Sequence, residues 1–417
     1  MDREHTSGAL RSAGSRAATR PLRVLCIKDR IAHTGGTAYF LRTLPLLDPE
    51  RVQPTMCGLR PWHPIGKRFE AAGIPTRFLE RSKWDPRGFN DVRRLMREYA
   101  PDVVHLEGRK TLLVGRVAAR QLGRPAIAHF HDMLPLSRPM RALQRRLASS
   151  TAKALAVSQA VRDFVVREFA IPPERVDLLY NGLDVDRLQE PDADARARIR
   201  RELEIDDATP VIGLVGRVIT AVKGQDVMLR AMRGVLARRP DAVLALVGDG
   251  PDLKSCRVLA ADLGIEHATR FMGHRDDVPD VLAAIDVAAV PSMCDEAFSF
   301  VALEALAAGR PVVAFRSGGI PEIVQHAVSG IIVAKGDEAG LAHGSARLLE
   351  DDDLRRCMAA NGRKRAHDFT MDRHIAKLTA VYEAAATAHP TYGGRPAIGS
   401  PAREPHDGEA WSPSAKT

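Results

Sequence analysis

The sequence predicts an α/β protein made of two doubly wound, Rossmann-like domains that face each other across a cleft. From Leu22 onward, short apolar runs of strand length alternate with helical patterns, as a parallel sheet covered by helices requires. A charged stretch at residues 189–208 interrupts this alternation once, and the alternation then resumes. The 417 residues suffice for two substantial hydrophobic cores.

The first domain is predicted over residues 21–188. Its first strand is Leu22–Lys28, and the turn after it carries Gly35-Gly36 and leads into a helix at Thr37–Leu47. Residues 1–20, which precede the domain, are small, polar and basic, as is typical of a disordered segment. Apolar runs predict further strands at Pro101–Gly108, Pro125–Asp132, Lys153–Ser158 and Arg175–Asp184.

The linker at residues 189–208 is predicted to contain a short helix, and the second domain is predicted over residues 209–368. An amphipathic pattern predicts a last helix at Phe369–Thr387, and the Pro-, Gly- and Ser-rich residues 389–417 are predicted to be disordered. The predicted strands of the second domain are Thr209–Val218, Ala242–Gly250, Arg270–His274, Asp286–Ser292 and Pro311–Phe315.

Positive charge is concentrated in the N-terminal half. Residues 1–200 contain 36 Lys and Arg against 22 Asp and Glu, whereas the rest of the chain contains 25 against 30. This asymmetry indicates an anionic partner. Nucleic acid is disfavoured because no helix-turn-helix, zinc-finger or RNP-type motif is present, and an anionic membrane or a lipid-phosphate acceptor fits better. An arginine-rich composition alone explains the excess equally well.

The segment Met133–Ser150 combines Leu and Met with four arginines and has two interpretations. A basic amphipathic helix can lie on an anionic membrane, but a core-facing helix with a solvated arginine face is the commoner arrangement. No apolar run approaches the length of a membrane span, and the N-terminus lacks the apolar core of a signal peptide. A cytoplasmic location is therefore expected, with contact at the inner face of the membrane as an additional hypothesis.

Two glutamates, Glu296 and Glu304, stand eight residues apart between two predicted strands. A helix predicted at Phe300–Ala308 places Glu296 in the loop before its first turn and Glu304 within the helix. The free N–H groups and the positive dipole at the start of such a helix favour an anion, and carboxylates accept hydrogen bonds from hydroxyls. The pattern therefore suits a sugar diphosphate nucleotide.

The glutamate pair and the segment LEALAAGRPVVAFRSGGIPEIV (Leu303–Val324) resemble the retaining glycosyltransferases of family 4. The resemblance covers roughly residues 22–388 and implies the two-domain GT-B fold, with residues 369–388 crossing back to the first domain. The family usually has Gly-Phe-Gly after the first glutamate, where this chain has Ala297-Phe298-Ser299. Because Ala and Ser adopt positive φ less readily than glycine, this departure raises the question of an altered donor pocket.

The resemblance also implies roles for the donor site. Glu304 would bind the ribose hydroxyls and Glu296 a hexose hydroxyl, while N–H groups around Phe298, Ser299 and Phe300 would line the sugar pocket. Arg217 and Lys223, in VGRVITAVKGQ, would hold the donor diphosphate and neutralise its developing charge. Arg275, after RFMGH, would contact the base, mostly through its backbone.

Two positions of the first domain are predicted to complete the site. Gly36 would bring backbone N–H groups to a phosphate. Strand alternation places His129 and His131 on the same face and cannot choose between them, but the position of His131 at the carboxyl end of its strand favours it as the cleft residue and catalytic candidate.

The predicted function is transfer of a hexosyl unit from a UDP- or GDP-sugar to a hydroxyl of a saccharide or lipid-linked acceptor, with retention of configuration. Glu296, His131, Arg217 and Lys223 are the predicted catalytic residues. The GDGP turn (Gly248–Pro251) has one aspartate and predicts no metal site, and no cofactor is expected. Two alternatives are a nucleotide-sugar epimerase of the same architecture and a non-catalytic nucleotide-sugar-binding subunit.

Overall fold

A computed structural model describes residues 20–32, 34–82, 85–189 and 194–388. The predictions of disorder for residues 1–20, apart from Arg20, and for residues 389–417 lie outside the described residues. Within the described residues, no helix is both long and apolar enough to cross a membrane.

The first domain contains a seven-stranded parallel sheet in the order β3-β2-β1-β4-β5-β6-β7. The order reverses between β1 and β4, and in such sheets ligands bind beyond the carboxyl ends of the strands at this point. The strands are β1 (Leu22–Lys28), β2 (Val52–Gly58), β3 (Thr76–Phe78), β4 (Val103–Glu107), β5 (Ala126–Phe130), β6 (Lys153–Ala156) and β7 (Val176–Leu178).

Six helices of the first domain cover this sheet or its edges. The first begins two residues before the prediction and ends at Thr43, because Pro45 lies in a following 3-10 turn, Leu44–Leu46. The helices are α1 (Gly35–Thr43), α2 (Gly66–Ala71), α3 (Arg87–Tyr99), α4 (Arg109–Gln121), α5 (Arg138–Arg146) and α6 (Gln159–Phe169).

Two short helices, α7 (Asp186–Gln189) and α8 (Ala195–Glu202), lead to a second parallel sheet of six strands. The strand order is β10-β9-β8-β11-β12-β13, so the reversal lies between β8 and β11. The strands are β8 (Val211–Val215), β9 (Val243–Val247), β10 (Thr269–Gly273), β11 (Val287–Val290), β12 (Val312–Phe315) and β13 (Gly330–Val333).

Helices follow most strands of the second domain, as in the first. Together the two parallel sheets with their helices form the GT-B architecture that the resemblance implied. The helices are α9 (Thr220–Lys223), α10 (Gln225–Leu236), α11 (Leu253–Asp262), α12 (Val278–Ala284), α13 (Phe300–Ala307), α14 (Ile320–Ile323), α15 (Glu338–Glu350), α16 (Asp352–Ala366) and α17 (Met371–Thr387).

The last helix, α17, packs into the core of the first domain. Its Tyr382 is fully buried and its hydroxyl lies 2.6 Å from Nδ1 of His105 on β4. Its His374 hydrogen-bonds through Nε2 to the hydroxyl of Tyr39 on α1 at 3.1 Å. Helix α17, which follows the second domain in the sequence, therefore stabilises the first domain.

Candidate active site

Two neighbouring cavities lie between the domains. The larger, about 750 Å³, is lined by Glu304 on α13, Arg42 on α1 and the connection before α7, and we call it the hinge cavity. The smaller, about 440 Å³, is lined from the first domain by Gly36 and His131 and from the second by Phe298, and we call it the N-terminal cavity. Predicted site residues of both domains therefore line these cavities, whereas Glu296, Arg217 and Lys223 are not among the lining residues.

The two glutamates occupy different environments. Oε1 of Glu296 accepts hydrogen bonds from Nζ of Lys223 at 2.5 Å and from the hydroxyl of Ser292 at 2.7 Å. Glu304 lies in the second turn of α13, where burial raises the pKa of its carboxyl to about 7 although the guanidinium of Arg42 opposes the shift. Glu296 is thus held by a cation, whereas the carboxyl of Glu304 lines the hinge cavity.

The loop between the glutamates is not strained by its departure from glycine. Ser299 has φ −93° and its hydroxyl caps α13 by accepting from the N–H of Ala302. Among the residues that the structure describes, Ala297 is not one of those with positive φ. The backbone need for glycine lies at Gly318 instead, which has φ +50° and whose added Cβ would lie 2.0 Å from the carbonyl oxygen of Glu296.

The two predicted phosphate-binding cations are arranged differently. Lys223 ends α9 and is drawn to Glu296 by their ion pair. Arg217 follows β8 and its side chain is exposed, so it is available to an anion at the carboxyl end of that strand. The structure brings only Lys223 into contact with the glutamate pair.

Gly36 lies against a buried ion pair that the sequence analysis did not anticipate. Lys28 at the end of β1 and Glu107 at the end of β4 form this pair beside the turn of α1. A Cβ on Gly36 would lie 1.9 Å from Oε1 of Glu107 and 2.5 Å from Nζ of Lys28. The glycine is therefore required by packing on the ion pair, whatever its role toward a phosphate.

The two candidate histidines, His129 and His131, have different environments in the structure. His129 is 2% exposed and its Nδ1 bonds to Nε2 of His105, so it belongs to the contact with α17. His131 lines the N-terminal cavity, with its ring 4.5 Å from that of Tyr39, and burial lowers its pKa well below 6.5. A neutral His131 facing the cleft agrees with the prediction about its position.

Arg275 does not place its side chain in either cavity. Its guanidinium donates to Asp277 and to Glu202, and these bonds raise its pKa. Its neighbours Asp276 and Val278 line the hinge cavity instead. The guanidinium of Arg275 is therefore occupied by carboxylates, and contact with the base through the backbone of this residue stays a prediction.

Sequence reasoning missed several residues that line the site or join its halves. Asn181 is not among the predicted site residues, yet it lines the N-terminal cavity together with Tyr39 and Asp132. Arg42 lies over the ring of Phe300 at 5.0 Å and so bridges the domains. Glu322 crosses from the second domain to α6. In the sequence, only the family segment Gly-Gly-Ile-Pro-Glu, which ends at Glu322, indicated a functional region here. Contacts between domains produce no regular spacing in the sequence and so cannot be predicted from it.

The chain matches known proteins along both domains. Residues 34–187 match the family described as Glycosyltransferase Family 4, and residues 195–365 match Glycosyl transferases group 1. A Mycobacterium tuberculosis GDP-mannose-dependent alpha-(1-6)-phosphatidylinositol monomannoside mannosyltransferase is 33% identical over 288 residues, covering 66% of this chain and 73% of that protein. The chain therefore belongs to glycosyltransferase family 4.

Other relatives match over a shorter span. A D-inositol 3-phosphate glycosyltransferase of Corynebacterium jeikeium is 39% identical over 211 residues, which are 48% of this chain and 50% of that protein. The chain thus spans about half the length of this relative. The crystal structure of Anabaena HepE in complex with UDP has a TM-score of 0.76 at 23% identity, covering 87% of this chain and all of that chain, and it supports the GT-B fold.

Proposed function

We propose that this protein is a retaining glycosyltransferase that moves a hexosyl unit from a UDP- or GDP-sugar to a hydroxyl of a saccharide or lipid-linked acceptor. The observation that carries the proposal is the ion pair of Glu296 with Lys223 at the start of the Glu304 helix, close to the cavity that His131 lines. Family membership supports the reaction class, and the residue roles proposed below are those that the resemblance implies.

The second domain holds the donor. Glu304 accepts hydrogen bonds from the ribose hydroxyls, and Glu296 accepts one from the hexose. Lys223 and Arg217 neutralise the charge that develops on the leaving diphosphate, so that no metal or cofactor is needed. The two domains close over the reacting atoms and exclude water.

The transfer occurs on one face of the sugar. The bond between the anomeric carbon and the phosphate oxygen breaks, the acceptor oxygen bonds to that carbon on the same face, and the acceptor proton passes to the departing phosphate. Neutral His131 accepts a hydrogen bond from a sugar hydroxyl through Nε2, a buried atom to which no described residue is bonded. Glu107 Oε2 and Asn181 Oδ1, also without a partner among the described residues, favour a hydroxyl-rich acceptor beside them.

The names of the relatives support the class of the donor and of the acceptor. The mycobacterial relative is named for GDP-mannose and a phosphatidylinositol mannoside, and a crystal structure of HepE contains UDP-glucose. Both names agree with a nucleotide-sugar donor, and the first agrees with the excess of positive charge in the N-terminal half. We therefore favour an acceptor that carries both hydroxyls and a phosphate.

The test uses a panel of UDP- and GDP-sugars with a membrane lipid extract, and the product is examined by proton NMR. The expected result is transfer from one donor with the anomeric coupling of the donor preserved, and its loss in Glu296→Gln. Glu266→Gln, an exposed glutamate of the second domain, is the matched control. An inverted product contradicts the retaining mechanism, and nucleotide binding without any product favours the non-catalytic subunit.

A further inference from the structure

A third cavity, about 1120 Å³, opens on the first domain between α4 and α5, and we call it the apolar groove. It is continuous with the N-terminal cavity, because Asp29, Gly108 and Asp132 line both. Its apolar lining is contributed by Phe89, Leu113, Val114, Val117, Leu134, Pro135, Met140, Leu143 and Leu147.

Helix α5 is attached to the domain largely through polar side chains, while its Met140 also packs against the hydrophobic core. Gln144 is its one fully buried residue and accepts from the guanidinium of Arg116 on α4. Arg141 pairs with Glu168 at 2.6 Å, and Arg145 donates to the carbonyl oxygen of Arg167 at 2.7 Å. The arginines that suggested either a membrane surface or a solvated face are thus partly used to attach α5 to α6.

The apolar side of α5 consequently faces the groove. Met140, Leu143 and Leu147 recur at helical spacing along it, and Leu143 is 43% exposed. Leu134, in the loop before α5, is 58% exposed. Single exposed leucines are ordinary, but a continuous apolar lining open to water is uncommon and marks a site that another apolar group covers.

Three cations lie beside the junction of the groove with the N-terminal cavity. Arg60 pairs with Asp29 at 3.4 Å, while Arg109 and Lys110 directly follow Gly108. Burial and the neighbouring Arg60 lower the pKa of Lys110, although Asp29 and Asp85 partly oppose the shift, and its Nζ donates to the carbonyl oxygen of Ser82. An anion placed here would relieve the repulsion between these cations.

We propose that the apolar groove binds the hydrocarbon chain of a phosphate-bearing lipid acceptor. The order of surfaces matches the order of groups in such a lipid: hydroxyls in the N-terminal cavity, the phosphate beside Arg60, Arg109 and Lys110, and the chain between α4 and α5. This inference rests on the proposed function, because it takes the N-terminal cavity as the acceptor site.

The test compares dioctanoyl-phosphatidylinositol, kept below its micelle concentration, with chain-free glycerophosphoinositol, by calorimetric titration. Wild-type protein is expected to bind the intact lipid about tenfold more tightly or better. The double variant Leu134→Gln, Leu143→Gln is expected to lose this preference and to keep its affinity for the chain-free compound. The matched control is Val258→Gln, Val328→Gln, which alters two residues of the second domain that are 53% and 44% exposed.

Equal affinity of wild-type protein for the two compounds, no binding of either, or a preference that survives in the double variant would each overturn the proposal. Binding to vesicles of phosphatidylinositol but not to the monomeric lipid would assign the groove to a membrane surface and overturn it as well. UDP and GDP binding is titrated separately. If the protein binds neither UDP nor GDP, the proposed function is wrong, but the measured effect of the lipid chain on binding is unaffected.

Discussion

Glu322 of the second domain caps helix α6 of the first domain through the N–H of Gln159. Its Oε2 accepts from that N–H at 2.6 Å, and its Oε1 accepts from the N–H of Ala160 at 3.0 Å. The hydroxyl of Tyr180, in the connection between the domains, donates to the same carboxylate at 2.9 Å. One side chain therefore links the second domain to a helix N-terminus of the first, where a negative charge is favourable.

Replacing Glu322 by Gln should loosen domain closure. We expect kcat to fall about tenfold or more while the affinity for UDP or GDP changes little, because the predicted nucleotide-binding residues lie in the second domain. X-ray scattering should show a larger radius of gyration for the variant. Asp352→Asn, which alters a carboxylate in the first turn of α16, is the control; equal kcat and equal dimensions for Glu322→Gln and wild type would contradict the role.

Donor affinity should depend on the ionisation of Glu304. Burial raises the pKa of this carboxyl to about 7, and an ionised carboxylate accepts hydrogen bonds from ribose hydroxyls more strongly than the protonated form. The donor KM is therefore expected to rise as the pH falls below 7, by about tenfold per pH unit well below the pKa. A pH series of initial rates measures this. Glu304→Gln should bind donor weakly at every pH, and a pH dependence that survives in this variant would rule Glu304 out as its source.

Gly36→Ala should destabilise the first domain. Its methyl group would collide with the buried pair of Glu107 and Lys28, so the free energy of unfolding should fall by about 1–3 kcal/mol. Gly35→Ala is the matched control, because among the described residues no atom beyond its own stretch of helix lies within 4 Å of its added Cβ. Urea denaturation followed by circular dichroism measures both. Similar free energies of unfolding for the two variants would show that Glu107 and Lys28 move aside without loss of stability.

Acid should weaken the attachment of α17 to the first domain. Burial lowers the pKa of His105 to about 3, against 6.5 for the free side chain, and also lowers those of its neighbours His129 and His374. The unfolded chain therefore binds more protons between pH 6.5 and 3, so stability present above pH 6.5 is lost as the pH falls through this window. Denaturation midpoints at pH 7 and pH 5 measure the loss. His105→Gln should show a smaller difference between the two pH values, and an unchanged difference would exclude His105 as a contributor.

The sequence predicts the elements of this fold better than their contacts. Apolar runs locate β1 with its observed bounds, whereas the predicted strand Arg175–Asp184 is observed only as Val176–Leu178, because the following residues form the connection between the domains. The glutamate pair and Lys223 are found by their motifs, but neither motif predicts that Lys223 forms an ion pair with Glu296. Local patterns cannot show that Glu322 reaches α6 or that α5 presents its apolar side to a groove, since both depend on packing between distant segments.

Glu296 and Lys223 are proposed to act together in transfer from a nucleotide-sugar. The most direct measurement is release of nucleoside diphosphate from a panel of UDP- and GDP-sugars by wild type, Glu296→Gln and Lys223→Met, with Glu266→Gln as the control. We predict release from one donor, reduced about a hundredfold or more in both variants and unchanged in the control. Wild-type rates in either variant, or no binding of UDP or GDP by the wild-type protein, would contradict the account.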